Sequence, residues 1–127
     1  MKKRLLPLLL MPLLVVSCSK KQDPTPNTDP REYRIEYRIA AVNYTQADIV
    51  YRNEAGTQTT EQNVTLPKTY SFKRNMKPAD VVDCQASALG GTASSSITVT
   101  VVLDGNTVAT KSETGPNAQP VASYQVK

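Results

Sequence analysis

The residues able to do chemistry in this chain are few, and one type is missing. Histidine is absent, which removes the commonest general base and the commonest metal ligand, and with them most triad and zinc-site arrangements. Catalysis without histidine would need paired carboxylates or a Ser–Lys dyad. Asp80 and Asp83 flank Val81-Val82, but on a strand residues three apart point to opposite faces, and no such pair stands out elsewhere. No cofactor, metal or catalytic set is expected. Cys84, in Val82-Asp83-Cys84-Gln85-Ala86-Ser87-Ala88, shares one face of a strand with Val82, Ala86 and Ala88. It reads as a small buried apolar residue rather than a reactive thiol. Tyr33, Tyr37, Tyr51, Tyr70 and Phe72 raise a sugar-binding reading. They stand mostly at alternating strand positions, where core packing is the default, and tryptophan is missing.

The other cysteine, Cys18, has a different setting. It closes Val15-Val16-Ser17-Cys18, which resembles the bacterial lipobox: apolar residues, a small residue, then the cysteine that receives lipid. Lys2, Lys3 and Arg4 precede an apolar run from Leu5 to Val16, interrupted only by Pro7 and Pro12. As a helix this run would rise roughly 18 Å, short of the ~30 Å hydrocarbon core, and two prolines would remove helix hydrogen bonds. Residues 1–17 are therefore expected to be a lipoprotein signal peptide. Diacyl or triacyl lipid such as palmitate on Cys18 is expected to anchor the protein to a membrane, since a single chain binds only marginally.

Cleavage before Cys18 changes the charge argument. Losing Lys2, Lys3 and Arg4 takes the 15 Lys and Arg to 12 against 11 Asp and Glu, so the formal charge falls from +4 to +1. A basic protein seeking nucleic acid is not what remains.

From Ser19 to Arg31 the chain has no apolar residue apart from Pro24, Pro26 and Pro30. Such a segment cannot bury enough surface to fold, and proline extends it. Residues 18–31 are expected to be a lipidated cysteine and disordered tether, whose thirteen residues after the cysteine reach roughly 40 Å at ~3.1 Å each. Lys20 and Lys21 add a weak attraction to anionic headgroups.

Residues 32–127 then form one domain, long enough for a single core. Its period is two. In Glu32-Tyr33-Arg34-Ile35-Glu36-Tyr37-Arg38-Ile39 every odd position is apolar or aromatic and every even one charged, the pattern of a half-buried strand. Further strands are expected near Ala47–Asn53, Thr57–Leu66, Thr69–Arg74, Val81–Leu89, Ser96–Leu103, Asn106–Ser112 and Val121–Val126. Val, Ile, Thr and Tyr enrich them, and Gly or Pro separates them. Asp104-Gly105 suits a type I′ turn. Pairing Leu103 with Asn106 sets Val101 opposite Val108 and Val99 opposite Thr110, with Ile97, Val99, Val101 and Leu103 facing the core. About seven or eight short strands and no credible helix predict an all-β sandwich, with a closed barrel as the lesser option.

Arg34, Arg38 and Arg52, with Lys73, Arg74 and Lys77, would form a basic face if their strands were neighbours. Glu32, Glu36 and Glu54 interleave with the first three, so a solvated mixed-charge surface is expected. Asn43-Tyr44-Thr45 and Asn63-Val64-Thr65 match the glycosylation pattern and read as ordinary loop and strand sequence.

Several of these segments, taken in order, resemble a known family. They are Ile49-Val50-Tyr51-Arg52-Asn53-Glu54-Ala55-Gly56, Leu66-Pro67, Ala86-Ser87-Ala88, Ile97-Thr98-Val99 and Leu103-Asp104-Gly105. Over roughly residues 33 to 126 they are similar to the mycobacterial membrane protein small (MmpS) family and related small lipoproteins of Bacteroidetes. The resemblance implies an immunoglobulin-like sandwich displayed outside the inner membrane. In the mycobacterial members it also implies partnership with resistance-nodulation-division transporters. The chain departs from that pattern at Lys68, where tryptophan often follows Leu-Pro. It departs again near Val99 and Ser123, where those members often carry a cysteine pair, and a lipobox replaces their N-terminal helix. The expected function is that of a non-catalytic, lipid-anchored cell-envelope protein at the outer membrane, periplasmic or surface-facing. It would bind an envelope partner such as a transport complex. The rival reading is a ligand- or glycan-binding surface lipoprotein.

Overall fold

The computed structural model describes residues 29–127. The signal segment, Cys18 and the tether as far as Thr28 lie outside the described residues. Eight strands run in chain order: β1 (Arg31–Val42), β2 (Gln46–Arg52), β3 (Gln58–Thr65), β4 (Lys68–Met76), β5 (Val81–Ser87), β6 (Ser96–Leu103), β7 (Asn106–Thr114) and β8 (Val121–Gln125). Among the described residues there is no helix.

The strands form two antiparallel sheets, ordered β4-β1-β6-β7 (sheet I) and β3-β2-β5-β8 (sheet II). The two layers make a β-sandwich. The connections are the chain's own: only β2–β3 and β6–β7 are hairpins within a sheet, and every other link crosses between sheets.

Period-two patterning builds this directly. On β1, Ile35, Tyr37 and Ile39 point inward and are at most 1% exposed, while Arg34 and Arg38 point to solvent. Ile97, Val99 and Val101 of β6 meet them from the same sheet. Ile49, Val82, Cys84, Ala86 and Ala122 close the core from sheet II. Burying such side chains contributes roughly 1.5–3 kcal/mol each for the larger ones.

The β6–β7 hairpin keeps its expected turn and corrects its expected register. Asp104 and Gly105 both have positive φ, as a type I′ turn demands, and Leu103 pairs with Asn106. A bulge then intervenes between Val101 and Val102. Val102 pairs with Thr107 and Val101 with Ala109, so Val108 is the extra residue. Val101 therefore faces Ala109 rather than Val108, and Val99 faces Lys111 rather than Thr110. Composition alone does not reveal a one-residue insertion inside a ladder.

Strand direction gives the sandwich two distinct poles. Arg31, where the described chain joins β1, shares its pole with the β2–β3, β4–β5 and β6–β7 turns. The opposite pole carries the β1–β2, β3–β4, β5–β6 and β7–β8 connections. These are bonded to one another: Ser95 Oγ donates to the Asn43 carbonyl at 3.4 Å, and Gly91 N donates to the Pro116 carbonyl at 3.1 Å. Tyr44 donates to the Gly115 carbonyl and accepts from Ala118 N.

Candidate functional site

The exposed face of sheet I gathers more charge and hydroxyl chemistry than any other surface of the described sandwich. Its rows follow from the strand register. Lys73 of β4 lies beside Arg34 of β1. The next row is Ser71, Glu36, Val102 and Thr107, and the next is Thr69, Arg38, Thr100 and Thr110. Beyond these, Thr98 and Ser112 share a hydrogen bond of 2.7 Å. Val102 points outward yet is buried on this face and stands apart from the core cluster.

Ion pairs occupy most of the charges. Arg38 Nε approaches Glu36 Oε2 at 3.1 Å, Lys73 approaches Glu32 at 3.5 Å, and Arg31 approaches Asp104 at 3.1 Å. These pairs are solvent-exposed and contribute little stability individually. Arg34 is the exception, because its guanidinium has no ion-pair or hydrogen-bond partner among the described residues. Its backbone, by contrast, is fixed at both ends of one residue. Arg34 N donates to Asp104 Oδ1 and Asp104 N donates to the Arg34 carbonyl, both at 2.9 Å. The type I′ turn thus folds over β1 and leaves a hollow of about 430 Å³ lined by Arg34, Glu36, Arg38, Asp104 and Gly105.

The structure divides the basic residues singled out in the sequence. Arg34, Arg38 and Lys73 meet on this face. Arg52 belongs to sheet II, where Nη2 approaches Asp83 Oδ2 at 3.1 Å. Arg74 points between the sheets and donates from Nη1 to the Val81 carbonyl at 3.0 Å. Lys77 sits in the β4–β5 turn, with its backbone N donating to Asp80 Oδ2 at 3.0 Å. Asp80 and Asp83 accordingly serve a turn and an ion pair, and do not converge.

Tyr37, Tyr51, Tyr70 and Phe72 pack between the sheets at the β3–β4 side, while Tyr33 lies under the Arg31 guanidinium at the pole where β1 begins. Tyr51 stacks on Tyr70 with ring centroids 4.2 Å apart, and Tyr37 meets Phe72 at 5.7 Å. Tyr70 donates its phenol to Glu61. Desolvation first, and then this hydrogen bond, push its ionisation above the ordinary tyrosine range. Cys84 is 1% exposed, and burial followed by the nearby Asp83 charge pushes its thiol up to about 12. A thiol held that firmly protonated is a poor nucleophile.

Two features escaped sequence reasoning. Asp104 shows in the sequence as a turn residue, whereas in the fold it also holds the Arg34 backbone in place. The hydroxyl rows come from three separate strands, β4, β6 and β7, and appear only once their register is known. The chain matches no protein-family model and no curated protein.

Proposed function

We propose that this chain is a non-catalytic, lipid-anchored protein of the cell envelope, held at the outer membrane through Cys18 and binding an envelope partner. The observation that carries this reading is the polarity of the strands. The tether joins the sandwich at Arg31, and the four bonded connections lie at the other end of β1. Twelve strand residues at ~3.3 Å each separate the two poles by roughly 40 Å. A domain tied to lipid at one pole presents the other outward. That outward pole carries Val42 and Leu89, which are 57% and 76% exposed. An accessory role to a resistance-nodulation-division transport complex rests on the family resemblance of the core and turn positions.

The anchor is tested by Cys18→Ser together with metabolic labelling by a fatty-acid analogue. Loss of label and release from the membrane fraction are expected. A Cys18→Ser protein that still labels and sediments with membranes ends the lipoprotein reading. A photo-crosslinker at Leu89, used in the native envelope, then identifies the partner. Capture of a transporter subunit supports the accessory role, and consistent capture of anything else removes it.

A second reading, a ligand- or glycan-binding surface lipoprotein, is favoured by the hollow beside Arg34 and the hydroxyl rows around it.

A further inference from the structure

We infer that the outer face of sheet I binds an acidic saccharide, with Arg34 receiving the sugar carboxylate and neighbouring hydroxyls receiving the sugar's hydroxyl groups. The inference rests on the second reading above and specifies its ligand.

The argument begins with Arg34. Every other charged side chain around the hollow has a counter-charge: Arg38 has Glu36, and Asp104 has Arg31. Arg34 is exposed and its guanidinium has no ion-pair partner among the described residues, while its backbone is clamped to the Asp104 turn. A guanidinium held at a fixed place on a rigid strand is suited to bidentate contact with a planar carboxylate. The clamp means little backbone order is lost on binding.

The surroundings then select the class of anion. Glu32, Glu36 and Asp104 share this face. A densely charged polyanion such as nucleic acid would meet three carboxylates there. A ligand with a single carboxylate among neutral hydroxyls would not. The remaining neighbours are hydroxyls: Ser71 and Thr69 on β4, Thr100 on β6, and Thr107 and Thr110 on β7. Strands about 4.8 Å apart, with outward residues two apart along each strand, place these donors and acceptors in a flat grid. One carboxylate beside several hydroxyls is the chemistry of a single uronic acid on an otherwise neutral oligosaccharide.

The test uses the full chain purified in detergent, with a neutral oligosaccharide ending in one glucuronate as probe and the same oligomer carboxyl-reduced to its fully neutral form. Calorimetric titration is expected to show binding of the acidic oligomer and about tenfold weaker binding of the neutral one, the worth of one charge-assisted contact. Arg34→Ala is expected to lose about tenfold in affinity for the acidic oligomer and to change little for the neutral one. Thr100→Val, which keeps the branched shape, is expected to weaken both. Thermal melts establish that each variant is folded, as an exposed arginine and a shape-matched threonine replacement permit. Equal affinity for the acidic and neutral oligomers, or an Arg34→Ala protein that binds like wild type, would overturn the assignment to an acidic sugar while leaving a glycan reading standing. Binding of neither oligomer would remove both.

Discussion

The phenol of Tyr37 donates to the backbone carbonyl of Arg52 at 2.9 Å, so the middle of sheet I is tied to sheet II from inside the core. Tyr37 is fully buried. Desolvation, and then the nearby Cys84 and Asp83, push its ionisation above the ordinary tyrosine range. The folded state therefore holds this proton more tightly than the unfolded chain does. Its contribution is complete below the unfolded value of about 10 and declines as pH rises beyond it. Tyr37→Phe is expected to cost about 1 kcal/mol near neutral pH through the lost hydrogen bond. It is also expected to flatten the alkaline loss of stability, leaving the share due to Cys84, Tyr70 and Tyr51. Urea melts of both proteins across the alkaline range decide this; an equally steep fall in the variant would refute it.

Cys84 gives a second test of the interior. Cys84→Ala is expected to cost about 1 kcal/mol, because only one buried sulfur atom is removed. In the native protein the Cys84 thiol should react with a disulfide reagent no faster than the domain unfolds. Rapid native-state labelling would show that its burial is not maintained in solution.

The two adjacent glycines of the β5–β6 connection separate conformation from space. A Cβ on Gly91 would sit 2.4 Å from the Tyr44 ring and phenol, which hold the Gly115 and Ala118 backbone. Gly90 has φ +78° and open space around it. Gly90→Ala is expected to cost about 1 kcal/mol from backbone strain alone. Gly91→Ala should cost about 2–3 kcal/mol, since a packed aromatic must move. Denaturant melts rank them, and the reverse order would place Tyr44 elsewhere.

The β6 pattern allows a matched pair of substitutions. Val101 is fully buried, and its neighbour Thr100 lies on the outer face. Val101→Ala is expected to cost about 1–3 kcal/mol. Thr100→Ala should cost under about 0.5 kcal/mol. Equal costs in denaturant melts would mean that β6 does not bury one face.

Much of the sandwich was legible because burial in a two-layer sheet imposes a period of two. Tyr33 to Ile39 and Ile97 to Leu103 state that period openly. The all-β class, the Asp104-Gly105 turn and the inward face of Cys84 follow from it. What escaped was set by contacts between distant segments. Nothing local marks Val108 as the surplus residue of a bulge. Nor does the sequence show that Asp104 clamps Arg34, seventy positions earlier. The candidate site was half legible: Arg34, Arg38 and Lys73 were singled out, but Arg52, Arg74 and Lys77 looked equivalent. Only the division into two sheets separates them.

The bulge also sets which side chains line the exposed edge of sheet I. Among the described residues strand β7 is the last of sheet I, so one side of its backbone has no neighbouring strand there. Such edges invite association unless charge or irregularity blunts them. The skipped residue at Val108 puts Lys111 across from Val99 and Glu113 across from Ile97, in positions where an interior strand would place apolar residues. Both side chains are exposed. A second molecule pairing with this edge would have to desolvate those charges against its own sheet. Lys111→Val combined with Glu113→Val removes that obstacle and leaves a neutral, β-favouring strand. The double variant should therefore sediment as larger species than wild type at equal concentration. Thr110→Val combined with Ser112→Val, which alters the outer face alone, should associate less. The bulge register requires this ranking, whereas the unbulged register would reverse it by placing Thr110 and Ser112 inward. Sedimentation velocity on the two double variants distinguishes the registers, and stronger association of the Thr110/Ser112 pair would refute the role assigned to Lys111 and Glu113.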